Sequence, residues 1–323
     1  MAGGDDMMIN LVEEYLNYRR ELGSELRSQG RELEKFAHDM DRVGCKGPLT
    51  NKIMLEWSAG SGSGDPTQFA RKLNCLRLFA EYRALFDDKT EIPPKRIFGP
   101  AQIRPTPYIY DNSALTEIAK SFDKLRSITK GQDGLMATTY KTITGLILCT
   151  GLRISEVFDI LNDDINLEDG IIKVFETKFY KSRLVPLHPT AIVALKNYVQ
   201  IRDKCFPRRR SNVFFVGRTG AGLTKNSFRS RYRKILLALG LKEKGDKDYT
   251  IHNMRHTFVV RRLLEWHKNG EDTEAKIAAL SVYLGHTKVT DTYWYFTAIP
   301  ELMDIVGQRF EMFASVNMGG NNA

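Results

Sequence analysis

Residues 284–296 read LGHTKVTDTYWYF: a histidine behind a leucine–glycine pair, then two tyrosines flanking a tryptophan. If the run is helical, Tyr293 and Tyr295 point about 200° apart, so only one of them can face a site built by the rest of the chain. Either tyrosine reads as core packing or as a reagent. Residues elsewhere in the chain decide between them.

Two other segments concentrate groups that bind phosphate, TGLRISE at 150–156 and IHNMRHT at 251–257. Taken singly, each has a plain reading. Arg153 can pair with Glu156 one helical turn on, and His252 and Arg255, also three apart, can share a surface face. Taken together they suit one chemistry. The negative charge of a phosphodiester repels nucleophiles, and two guanidiniums gripping its non-bridging oxygens neutralise the charge that grows in the transition state. Arg153 and Arg255 are the candidates for that clamp. An imidazole titrates near neutrality and can take or hold a nucleophile's proton, which gives His252 the role of base or hydrogen-bond partner and His286 that of a further donor.

Between these segments GIIKVFETKFYKSRLVPLHP alternates as two short strands joined by a turn. Lys178 and Lys181 fall at that turn and Arg183 follows. Both lysines read equally as DNA-backbone contacts, and Arg183 as a structural residue or a phosphate contact. The stretch 208–234 holds nine basic residues and no acid, read either as a nucleic-acid contact or as solvated charge. Its helix, with Lys225, Arg229, Arg231 and Arg233, is a candidate for lying along a DNA groove. The glycine-rich GRTGAGLTK at 217–225 lacks the spacing of a nucleotide-binding loop and reads as a turn.

The charge distribution agrees. Of a formal net charge of +9, residues 1–110 contribute nothing, with 16 basic against 16 acidic side chains, so the excess lies in residues 111–323. A polyanion belongs there. The four cysteines lie far apart, with no metal-ligand spacing, and no apolar run reaches the roughly 18 residues of a membrane span. The acids of MAGGDDMMINLVEEYL do not suit a secretory leader. These features predict an intracellular protein with no membrane partner.

Apolar residues at three- and four-residue steps predict four or five helices over about 8–90. Asp65 followed by Pro66 marks a helix start, and Arg71, Lys72 and Arg77 on that helix are either ordinary surface charge or phosphate contacts. The stretch 90–111, TEIPPKRIFGPAQIRPTPYIYD, carries five prolines and reads as an extended linker. The expected domains are therefore a helical unit over 1–107, with the linker at about 90–110, and a mainly helical unit with a small sheet over 108–323.

In this order, behind a helical domain and a proline-rich linker, the motifs resemble those of the tyrosine site-specific recombinases, the phage-integrase family. The resemblance covers about residues 110–312. It implies a two-domain architecture, mainly α with a small β-sheet: an N-terminal helical core-binding domain and an α/β catalytic domain. It identifies Tyr295, nine residues past His286, as the nucleophile, and leaves Tyr293 and Trp294 as packing. It aligns Lys178 with a general-acid lysine that protonates the departing 5′ oxygen, although Phe179 stands where a turn glycine is usual and Lys181 is the alternative. Glu156 fits an acid that orients Arg153 or His252 without touching the scissile phosphate. The implied reaction breaks and rejoins DNA through a 3′-phosphotyrosyl ester that preserves the energy of the broken bond, so no metal or other cofactor is expected. The implied partners are double-stranded DNA with specific recombination sites, further copies of the chain in a synaptic tetramer with weaker association free of DNA, and accessory DNA-bending or partner recombinase proteins. The implied setting is the cytoplasm, with the nucleoid. The amphipathic IPELMDIVGQRFEMF either docks on a neighbouring protomer or folds back on its own domain. A regulator that binds DNA without cutting it, and a type IB topoisomerase or telomere resolvase, are the alternative readings.

Overall fold

The computed structural model describes residues 7–45, 48–60, 64–101, 104, 106–125, 134–175, 182–208, 210–241, 250–300 and 302–304. The chain is mainly helical with one small sheet. It divides into two compact units, Met1–Arg104 and Pro105–Ala323.

In the first unit α1 (Met8–Glu21), α2 (Arg27–Arg42), α3 (Asn51–Gly60) and α4 (Pro66–Arg83) close over a core that includes Val12, Leu16, Leu33, Phe36, Met54 and Phe79. The Asp65 carboxylate accepts from the Thr67 backbone N–H at 3.0 Å, and Pro66 opens α4, satisfying donors that a helix start leaves unpaired. Lys72 departs from expectation. It is only 4% exposed, and its ammonium stands 5.4 Å from the centre of the Trp57 ring. It shares the inward stripe of α4 with Leu76 and Phe79, so helical geometry carries it into the core and away from any phosphate. Arg71 donates to the Ala101 carbonyl at 2.9 Å, and Arg77 donates to the Pro93 carbonyl and pairs with Glu81 at 2.7 Å. Both brace the proline-rich stretch against α4.

The second unit runs α5 (Asn112–Asp123), α6 (Leu135–Thr150), α7 (Ile154–Asp159), β1 (Ile165–Asn166), β2 (Ile171–Phe175), β3 (Ser182–Pro186), α8 (Pro189–Cys205), α9 (Lys225–Ala238), α10 (His252–Lys268), α11 (Thr273–Leu284) and α12 (Thr290–Ala298). α6 is apolar on most of its circumference, as a helix enclosed by others must be; Tyr140, Ile143, Leu146 and Ile147 are buried where it packs on α5, α8 and α10. The three strands form an antiparallel sheet in the order β1-β2-β3, with Ile171 opposite Pro186 and Phe175 opposite Ser182. Ile172, Val174 and Val185 point into the core, while Lys173, Phe175 and Leu184 point outward. Residues 176–181, the expected turn carrying Lys178 and Lys181, lie outside the described residues.

A second cluster joins α10, α11 and α12 through Phe258, Val259, Leu263, Ile277, Leu280, Leu284, Tyr295 and Ile299. The inward positions of α12 and its C-terminal cap are Thr292, Tyr295 and Ile299, a stripe at three- and four-residue steps. Leu302 is fully buried in the same cluster. Ile305, Val306, Phe310 and Phe313, the rest of the expected amphipathic face, lie outside the described residues.

Candidate active site

Two glycines set the frame. Gly151 ends α6 and Gly285 ends α11, both in the left-handed conformation, with φ of 66° and 67°, which costs glycine little and other residues more. At Gly151 space forbids a side chain as well: a Cβ there would stand 2.5 Å from Phe258 and 2.9 Å from Leu284. The chain therefore turns sharply and delivers Arg153 two residues later, while the turn at Gly285 delivers His286.

The arginines cross-brace these turns. Arg153 donates to the Gly285 carbonyl, and Arg255, rising from α10, donates to the carbonyls of Gly151 at 2.7 Å and Leu284 at 2.8 Å. All three acceptors sit where helices end and carbonyls lack an intrahelical partner, the negative pole of the helix dipole. Two of the five N–H donors of Arg255 are committed this way, which fixes the plane of its guanidinium. Arg255 is 2% exposed. Burial, reinforced by the charge of Arg153, brings it down to about 10, with Glu156 and Tyr295 opposing; it remains a cation at neutral pH.

Glu156 binds the cluster together. Its carboxylate accepts from the Arg153 guanidinium and from the Arg153 backbone N–H, each at 2.8 Å, and from Arg183 at 2.8 Å. Burial alone would raise the Glu156 carboxyl, but hydrogen bonds and charge from Arg183 and Arg153 outweigh it and hold the group below the ordinary carboxylate range. Arg183 also donates to the Tyr283 carbonyl at 2.8 Å, so β3 is tied both to α7 and to the end of α11.

Tyr295 is 2% exposed and faces inward, whereas Tyr293 is 46% exposed. The expectation that Tyr293 packs the helix in place is thus corrected: the 200° between the two tyrosines carries Tyr293 to solvent. Trp294 is partly buried against the α10–α12 cluster. The Tyr295 hydroxyl lies 2.7 Å from Nδ1 of His256, a residue absent from the expected set. His256 follows Arg255 directly and stands one turn past His252, whose ring meets it edge-on at 4.7 Å. The i, i+4 spacing of these histidines was the available signal. His252 itself is exposed at the first turn of α10. His286 Nδ1 lies 2.8 Å from the Thr292 hydroxyl.

α9 buries Phe228, Tyr232, Ile235 and Leu236 and exposes Arg229, Arg231 and Arg233. Lys225 reaches Asp159 at 3.7 Å. Arg229 and Arg233 lie one turn apart on one face, with Arg231 about 160° away from Arg233. Such a row of exposed guanidiniums can follow a phosphate backbone. Among the described residues no group of three or more His, Cys, Asp or Glu side chains could hold a metal ion, and no helix is long and apolar enough to cross a membrane.

Comparison with known proteins gives a consistent answer. Residues 121–301 match the model of the phage integrase family. A protein of Sinorhizobium fredii, y4rB, named as an integrase/recombinase, is 31% identical over 303 residues, covering 93% of this chain and 96% of that one. Tyrosine recombinase XerD of Listeria monocytogenes is 26% identical over 302 residues, covering 89% and 94%. Among solved structures, the Tn1549 transposon integrase in complex with a circular intermediate DNA superposes with a TM-score of 0.65 at 15% identity, covering 93% of this chain and 100% of that one. The XerH site-specific recombinase bound to its difH substrate gives 0.63 at 18%, covering 94% and 83%. At those identities the structural likeness speaks for the fold.

Proposed function

The chain belongs to the phage integrase family and is a tyrosine recombinase, and we propose that it cuts and rejoins double-stranded DNA at specific sites through a 3′-phosphotyrosyl ester on Tyr295, to integrate, excise or resolve mobile DNA. The observation that carries this reading is the convergence at one place of two braced guanidiniums, Arg153 and Arg255, with the single inward-facing phenol of α12.

In this reading Arg153 and Arg255 grip the non-bridging oxygens of the scissile phosphate, and His252 and His286 donate to it or hold protons nearby. Tyr295 attacks in line. Two guanidiniums lower the cost of the phenolate that forms. The 5′ oxygen leaves as an alkoxide of high pKa and takes its proton from a lysine of the β2–β3 hairpin, Lys178, with Lys181 as the alternative. Glu156 positions Arg153 and Arg183 without touching phosphate. Because the ester stores the energy of the broken bond, a second strand's 5′ hydroxyl reverses the step.

α9, through Arg229, Arg231, Arg233 and Lys225, and the first unit, through Arg71, track the DNA backbone, while Arg77 is held by the Pro93 carbonyl and Glu81. Four copies assemble on two duplexes in synapsis and associate less tightly without DNA, with accessory bending proteins or a partner recombinase assisting. The protein acts in the cytoplasm, on the nucleoid.

The test begins with fragmented genomic DNA of the source organism, incubated with the protein, denatured, and probed for protein-linked fragments. The expected result is 3′-linked DNA from few sites, undiminished by EDTA. Tight binding at those sites without linked DNA supports the regulator reading instead, and relaxation of plasmid without site preference supports the topoisomerase.

A further inference from the structure

We infer that His256 takes the hydrogen of the Tyr295 hydroxyl as that oxygen attacks the phosphate, an assignment that rests on the recombinase reading above and adds a catalytic residue to it. The carrying observation is geometric: Nδ1 of His256 stands 2.7 Å from the Tyr295 oxygen, in a partly buried site.

A phenol ionises near 10 and is protonated at neutral pH. Attack therefore needs an acceptor within hydrogen-bond reach of the hydroxyl, and an imidazole with its other nitrogen protonated offers one. The architecture holds the pair in register. Arg255 and His256 are consecutive on α10, so their side chains diverge by about 100°. Arg255 turns toward the helix ends at Gly151 and Leu284, and His256 turns toward α12. A single helical turn thus supplies one arm of the phosphate clamp and the acceptor for the nucleophile. Trp294 flanks the His256 ring at 6.0 Å, and the His252 ring lies against it edge-on.

The Tyr295 oxygen forms a bond to phosphorus while the bond from phosphorus to the 5′ oxygen breaks. The phenolic proton passes to Nδ1 of His256, which becomes imidazolium, and the departing 5′ oxygen takes a proton from the hairpin lysine. On rejoining, the incoming 5′ oxygen bonds to phosphorus and gives its proton to the now-neutral lysine, while the bond from phosphorus to Tyr295 breaks and His256 returns the proton to the phenol. Facing His256 are, among others, His252 on its own helix and Tyr295 with Trp294 on α12, and the Arg255 charge acts on the same phenol. An already protonated His256 cannot accept, so cleavage falls on the acid side of its titration.

The test uses the full chain and a nicked duplex carrying a recovered site, with single-turnover adduct formation followed from pH 5.5 to 9 at saturating DNA. Two variants are compared. His256→Asn keeps a polar atom near the position of Nδ1 but cannot take up a proton, and His256→Phe removes the acceptor. Both are expected to slow cleavage by about 10²- to 10⁴-fold, with DNA affinity unchanged, and His256→Asn is expected to flatten the acid limb of the profile. A wild-type rate and profile in His256→Asn overturns the assignment, even if His256→Phe misfolds. Absence of adduct in the unaltered protein overturns the recombinase reading itself, and the assignment with it. A third readout needs no DNA: the ¹⁵N shift of the His256 ring must change in Tyr295→Phe, and an unchanged shift removes the hydrogen bond on which the inference stands.

Discussion

The fully buried hydroxyl of Thr292 lies 2.8 Å from Nδ1 of His286, three residues ahead of Tyr295 on the same face of α12. The helix that carries the proposed nucleophile therefore also orients the histidine at the end of α11. Thr292→Val keeps the shape and removes the hydroxyl, and a ring that has lost this partner holds its donor less precisely. Single-turnover cleavage should fall by up to about 100-fold, with a stability loss of about 1 kcal/mol. An unchanged rate would detach His286 from the reaction.

Gly151→Ala should destabilise the second unit by roughly 2–4 kcal/mol, because the new methyl meets Phe258 and Leu284 and the backbone sits in the left-handed region. Urea unfolding reads the loss. The variant should also cleave poorly, since the same turn carries Arg153 and receives Arg255.

Glu156 gives a pH prediction. Its folded-state pKa lies below the ordinary value, so its ionised form contributes stability that is fully present above about 4.3 and is lost as pH falls through the lower folded value. Glu156→Gln should be less stable than the parent at pH 7, and the two unfolding curves should converge on acidification below about 4.3. A gap that stays constant down to pH 3 would mean that the carboxylate charge is not what holds Arg153 and Arg183.

Salt dependence separates exposed from buried cations. Arg229→Ala or Arg233→Ala should each reduce the slope of log affinity against log salt by about 0.9, read by titrating labelled duplex at several salt concentrations. Lys72→Ala, which removes an ammonium stacked on Trp57, should leave the slope alone and lower the unfolding midpoint of the first unit.

Much of this was legible in the chain because local geometry carried it. Asp65-Pro66 starts a helix for reasons confined to three residues, and TGLR and LGH stop helices with glycines whose left-handed turns need no distant partner. The reading of Tyr293 as packing followed its aromatic character rather than its angle, although the angle to Tyr295 already sent it to solvent. Lys72 is a similar case, since its spacing to Leu76 and Phe79 places it on the apolar stripe and its charge argued the other way. The pairing of His256 with Tyr295 had no such local cue. It arises because α12 folds back onto α10, bringing together partners 39 positions apart in the chain, and side-chain spacing along one chain does not encode that return. The tie of Arg183 to Glu156 is equally tertiary, joining a strand to the first turn of α7.

If Tyr295 becomes covalently linked to DNA, the identity of the linked residue shows it. The protein–DNA adduct formed on a nicked duplex is trimmed with nuclease and protease, and the peptide bearing the nucleotide is sequenced by mass spectrometry. The nucleotide is expected on Tyr295, with no adduct in Tyr295→Phe and near-normal adduct in Tyr293→Phe. A nucleotide found on Tyr293 or any other residue, or an adduct that persists in Tyr295→Phe, would contradict that linkage.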